Sequence, residues 1–151
     1  MRARTYLAAA AAAGLVGSGA FLLPAAASTQ HPTCSCGIQT LRFISVTKNS
    51  VAFSKTTAAQ QDTDVNGKGQ VIGFDQLWLS FNPKTGRGSG NFTFDYRGGF
   101  IYGTLRLSNS GATGRLTGGT GAYWGVTGTL VARTLNKAGT RTAVTIRYRL
   151  R

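Results

Sequence analysis

From Ile38 onward, apolar side chains recur at every second position, and no window of helical length carries a sustained stripe at i, i+3, i+4 and i+7. In Thr142–Leu150, Val144, Ile146, Tyr148 and Leu150 alternate with Ala143, Thr145, Arg147 and Arg149. Phe92, Phe94 and Tyr96 share a face opposite Asn91, Thr93 and Asp95, and Asp75, Leu77, Leu79 and Phe81 alternate with Gln76, Trp78 and Ser80. The pattern predicts strands at Ile38–Thr47, Val51–Ser54, Gln70–Phe81, Gly90–Tyr96, Phe100–Leu107, Gly125–Arg133 and Thr142–Leu150, with a short one at Gly114–Thr117. Between them, Asn66-Gly67, Lys84-Thr85-Gly86, Arg97-Gly98-Gly99, Asn109-Ser110-Gly111 and Lys137-Ala138-Gly139 supply residues that tolerate turn geometry. Strands joined by such short loops are antiparallel neighbours, and closing about eight of them on themselves removes the exposed edges. The expected fold is therefore all-β, an antiparallel closed or nearly closed barrel over residues 38–151, with a two-sheet sandwich as the alternative.

The N-terminal stretch follows a different rule. Arg2 and Arg4 precede an uncharged run from Tyr6 to Leu23, Pro24 breaks it, and Ala25-Ala26-Ala27 offers the small residues that a signal peptidase requires. Residues 1–27 are expected to be a signal peptide cleaved at Ala27–Ser28, residues 28–37 a flexible lead-in, and the protein secreted. The alternative is an uncleaved membrane anchor, because the apolar run is long enough to span a bilayer.

Composition narrows the chemistry. The chain carries 17 Lys and Arg against 4 acidic residues, all Asp, with 1 His and 2 Cys. A histidine-rich metal centre, a serine–histidine–aspartate triad and a two-metal carboxylate cluster are poorly supported by that inventory. Cys34 and Cys36 lie in the polar lead-in, where an oxidised pair suits an exported chain, and His31 adds too few ligands for a metal site. Neither a metal nor another cofactor is expected. The net charge of +13 implies attraction to anionic surfaces such as teichoic acids, lipid head groups or nucleic acid.

One segment is more specific. Thr117-Gly118-Gly119-Thr120-Gly121-Ala122-Tyr123-Trp124-Gly125-Val126-Thr127-Gly128-Thr129 resembles the glycine-rich signature of the allene oxide cyclase and dirigent barrel superfamily, and of its small exported bacterial members above all. Gly69–Asp75, Gly88–Phe94 and Gly98–Gly103 resemble its preceding strands, so the likeness spans roughly Thr40 to Leu150. Physically, the glycines let the backbone approach a neighbouring strand closely, and no Lys follows them to make a nucleotide-binding loop. A tight turn capping the barrel accounts for them without any ligand.

The resemblance implies an eight-stranded barrel, commonly a homotrimer, whose interior binds a small hydrophobic or phenolic molecule and in some relatives steers its cyclisation or coupling. Asp75 stands at the family's acidic position, and on an apolar face desolvation would raise its pKa into a range useful for acid or base catalysis. Asn91, Tyr102, Tyr123 and Trp78 are the candidates for ligand contact. The chain has no Glu, which the plant cyclases use, and Phe43–Lys48, where dirigent proteins carry an Asp, holds no acid. The competing function is that of a non-catalytic cationic protein of the cell envelope, its anion-binding surface formed by Arg147, Arg149 and Arg151. No specific nucleic-acid partner is expected, because the aromatics alternate to the face opposite the arginines.

Overall fold

The structure, a computed structural model, describes residues 37–151. The leader at residues 1–27, His31, Cys34 and Cys36 lie outside the described residues, as does all of the lead-in but Gly37. Eight strands follow in order: β1 (Gln39–Ala52), β2 (Thr57–Val65), β3 (Val71–Phe81), β4 (Gly88–Tyr96), β5 (Gly99–Ser108), β6 (Gly111–Gly119), β7 (Thr127–Thr134) and β8 (Arg141–Arg149). Each pairs antiparallel with the next, and β8 returns to pair with β1, closing the barrel. Closure leaves no unpaired edge along the sheet, and the sandwich alternative falls.

The five predicted turns fall at strand connections, with Gly99 and Gly111 already opening β5 and β6, but two expectations at the start of the barrel change. Val51 does not begin a separate strand: β1 continues to Ala52 past a register shift between Thr47 and Asn49. The second strand is Thr57–Val65, a stretch whose small, amide and acidic residues hide any apolar alternation. The short strand at Gly114–Thr117 is the middle of the longer β6.

The two ends of the barrel differ. The connections at 53–56, 82–87, 109–110 and 135–140 gather at one end. Those at 66–70, 97–98 and 120–126 gather at the other, with the start of β1 and the end of β8. Inward alternation fills the second end with Phe43, Phe94, Tyr96, Ile101, Val126 and Ile146, all buried, and Tyr123 packs against this cluster. Phe43 meets Phe94 and Tyr96 edge-on at 5.4 and 5.7 Å between ring centroids, a favoured aromatic geometry. Each such buried ring contributes on the order of 1.5–3 kcal/mol through removal from water. The first end stays open.

Candidate functional site

Behind the open end lies a cavity of about 220 Å³, walled by Leu77, Leu79, Phe94, Leu105, Leu130 and Val144, with Ser45, Gln60, Asp62 and Asp75 among its polar lining and Ser108, Thr134 and Thr142 on β5, β7 and β8. Three of the chain's four carboxylates are gathered inside the barrel: Asp62, Asp64 and Asp75 are all buried, in a protein whose net charge is +13. Strand register accounts for the cluster. Asp62 and Asp64 occupy consecutive inward positions of β2, Asp62 lies directly opposite Asp75 on β3, and Asp64 directly opposite Ser45 on β1.

Ser45 links two of the acids. Its Oγ is 2.6 Å from Asp62 Oδ2 and 3.0 Å from Asp75 Oδ2. A hydroxyl has one proton to donate, so both contacts are satisfied when Ser45 donates to Asp62 and a protonated Asp75 donates to Ser45. The Gln60 amide completes Asp62 by donating to both its oxygens, at 3.0 and 2.8 Å, and also reaches Thr47 Oγ1 at 3.0 Å. Asp64 interacts through its side chain with Asp75 and the Tyr96 hydroxyl, while Asp75 Oδ1, both Asp64 oxygens and the Tyr96 hydroxyl are buried outside close hydrogen-bond geometry.

Burial dominates the titration of this group. It pushes Asp75 up to about 9, with repulsion from Asp64 and Asp62 adding to the effect. Asp64 rises to about 6, again chiefly through burial, while the nearby Asp75 and Tyr96 side chains pull it partly back. Burial and then the Asp64 charge also hold the Tyr96 phenol far above its ordinary value. At neutral pH the site therefore contains a carboxylic acid, Asp75, beside an ionised neighbour. Among the described residues, no group of three or more His, Cys, Asp or Glu side chains is arranged to hold a metal ion.

Gly73 explains how Tyr96 reaches this cluster. It lies between Asp64 and Tyr96 in the register, and a Cβ there would collide with the Tyr96 ring and the Asp95 carbonyl. The missing side chain lets the ring lie across β3.

No protein-family model and no curated protein matches this chain. Solved structures do. A pyocyanin demethylase superposes with a TM-score of 0.58 at 16% identity, over 73% of this chain and 99% of that one. The pterocarpan synthase dirigent protein GePTS1 superposes with a TM-score of 0.59 at 13% identity, over 85% of this chain and 99% of that one. The chain has the allene oxide cyclase/dirigent-like barrel fold. At such identities the likeness is one of fold, and fold does not carry function with it.

Within that fold the glycine-rich signature is a closure of the filled end. Gly121 has φ +56°, and a Cβ there would strike the Gly98 carbonyl, which accepts a hydrogen bond from Ala122 N–H at 2.8 Å. The Thr120 N–H donates to the Phe100 carbonyl at 2.9 Å, and Phe100 N–H returns a bond to Thr120 Oγ1 at 3.1 Å. The segment thus ties the β6–β7 connection to the β4–β5 hairpin and takes no part in the cavity.

Of the residues named from the sequence as candidates for catalysis, ligand contact or anion binding, only Asp75 lines the cavity. Tyr123 is half-buried at the filled end, its ring 6.3 Å from that of Tyr148. Trp78, Asn91 and Tyr102 are exposed on the outer wall, because each occupies the outward phase of its strand. Trp78 stacks there on Phe53, at 5.6 Å and 6° between planes. None of these three reaches the interior. Arg147, Arg149 and Arg151 are exposed outside the barrel as well. Ser45, Gln60, Asp62, Asp64 and Tyr96 were not legible as site residues. The one signal available was Asp62 and Asp64 at i and i+2, the spacing that puts two acids on one face of a strand.

Proposed function

We propose that the open half of the barrel binds a small apolar or aromatic molecule, with Asp75 as the acid that meets its polar group. One arrangement carries this reading: the buried Asp75 carboxyl group, which burial favours in its protonated form, borders a cavity walled by aliphatic side chains, one aromatic ring and a few polar groups. Such a combination of apolar walls and few polar groups is the usual make-up of a small-molecule site. The cavity exceeds the roughly 150 Å³ void that takes up benzene, so one substituted aromatic ring is an appropriate guest. Two solved proteins of this fold, named as a pyocyanin demethylase and a pterocarpan synthase dirigent protein, are compatible with a small aromatic guest.

The chemistry open to the site is proton transfer on a held conformer. Asp75 gives the proton it otherwise shares with Ser45 Oγ to a ligand oxygen as negative charge develops there, and its carboxylate recovers a proton from the rearranged ligand. The sum is an isomerisation or ring closure with no oxidant consumed. Positioning in the cavity and the placed acid supply the rate, and Ser45 and Asp62 hold the acid in orientation. Export on residues 1–27 belongs to the same proposal, and secreted protein beginning at Ser28 rather than Met1 is its sign.

Native mass spectrometry of the folded protein, incubated with a mixture of phenols and cyclic terpenoids, tests the binding. The expected result is one guest per chain, lost on denaturation and weakened at least about tenfold in Asp75→Leu, which removes the polar anchor. An unliganded mass throughout the mixture would overturn the proposal, as would equal retention by the variant.

A further inference from the structure

The outer wall of β6–β8 carries a second, larger concavity of about 570 Å³, lined by Arg115, Arg147, Arg149 and Arg151 together with Thr127 and Thr129. Register builds it. Arg115 on β6, Thr129 on β7 and Arg147 on β8 form one cross-strand row, and Thr127 lies opposite Arg149 in the next outward row. No carboxylate occurs on β6, β7 or β8. The barrel's acids are Asp62, Asp64 and Asp75, enclosed within it, and Asp95, on β4. Among the described residues no ion pair engages these guanidinium groups. The Thr127 hydroxyl at the same groove is buried and without a partner among the described residues.

We infer that this groove binds a linear phosphodiester polymer that carries no bases. Planar guanidinium forks match phosphate oxygens two at a time. Arg147 and Arg149 are two residues apart on one face of a strand, a repeat of about 6.6 Å, and the row from Arg115 to Arg147 crosses two strand spacings, about 10 Å. That grid suits charges repeated along a chain better than a single compact anion. The one ring among the residues lining the groove, Tyr148, is half-buried and donates its hydroxyl proton to Gln39 Oε1 at 2.7 Å, so the lining itself presents no exposed ring for stacked bases, and the exposed Trp124 stands outside it. The groove lies towards the filled end of the barrel, near the start of β7 and the end of β8. A polymer seated there leaves the cavity mouth, at the opposite end, unobstructed. This inference stands apart from the proposal for the interior.

The test is binding of poly(glycerol phosphate) to the full chain across a salt series, compared with oligo(dT) and with phosphatidylglycerol vesicles. Arg147→Gln/Arg149→Gln is expected to weaken poly(glycerol phosphate) binding at least about tenfold and to reduce the slope of log K against log salt by about 1.5–2. Arg115→Gln alone should reduce that slope by about 1. The charge-matched pair Lys68→Gln/Lys84→Gln, in turns away from the groove, should change affinity less than about threefold. Equal losses in the two double variants would overturn the inference in favour of diffuse charge. So would oligo(dT) or vesicles binding as tightly as poly(glycerol phosphate), or no binding of that polymer at low salt.

Discussion

Ser45 carries one proton between two carboxyl groups, at 2.6 Å from Asp62 and 3.0 Å from Asp75. Its replacement by Ala would leave both acids short of a partner in a buried setting, a loss of about 1–3 kcal/mol in stability by denaturant unfolding. Asp75→Asn is a milder change, because an amide keeps the shape and stays neutral, as the native acid does at pH 7. Its effect belongs at higher pH, where the native side chain ionises and the amide does not. A Ser45→Ala protein as stable as the parent would show that the bridge contributes nothing to the fold.

At the scale of the strand, the alternation that exposes β3, β4 and β8 in the sequence is carried by side chains such as Leu77, Phe92 and Ile146, whose preference for the interior is plain. The strand β2 follows the same period with Asp62 and Asp64 inside, and there the hydrophobic code is inverted. A pattern read as apolar inside must miss it, and with it the site, because burial of these acids depends on partners from β1 and β3 that no local spacing announces. Trp78 and Asn91 depart from the interior for the converse reason: their phase turns them outward, where both border a concavity of the outer wall with Phe53. Gly73 was legible only as part of a resemblance, and its physical role is to seat Tyr96. Gly73→Ala is expected to cost about 1–3 kcal/mol by overpacking the Tyr96 ring against β3. Unchanged thermal stability in that variant would mean that ring and strand part without strain.

Across the whole molecule, one end of the barrel is a packed core and the other an open cavity with acids along its lining. Because the folded-state values of Asp64 and Asp75, about 6 and about 9, lie above the ordinary 3.8, the native chain binds more protons than the unfolded chain between those limits. Stability is therefore greatest below about pH 4 for these groups and falls as pH rises, first towards 6 and then towards 9. Thermal melts across that range should show the decline, and Asp75→Asn should flatten its alkaline part. Ala132, in the cavity lining, offers a separate check: Ala132→Leu should reduce guest binding at least about tenfold while leaving the barrel folded, since the added atoms enter open space. The most direct measurement is a ¹³C NMR titration of the Asp75 carboxyl carbon in the folded protein. A protonated signal is expected through neutral pH, with its main change near pH 9. A carboxyl carbon fully ionised by pH 5 would contradict it, leaving the cavity without the acid on which the proposed chemistry depends.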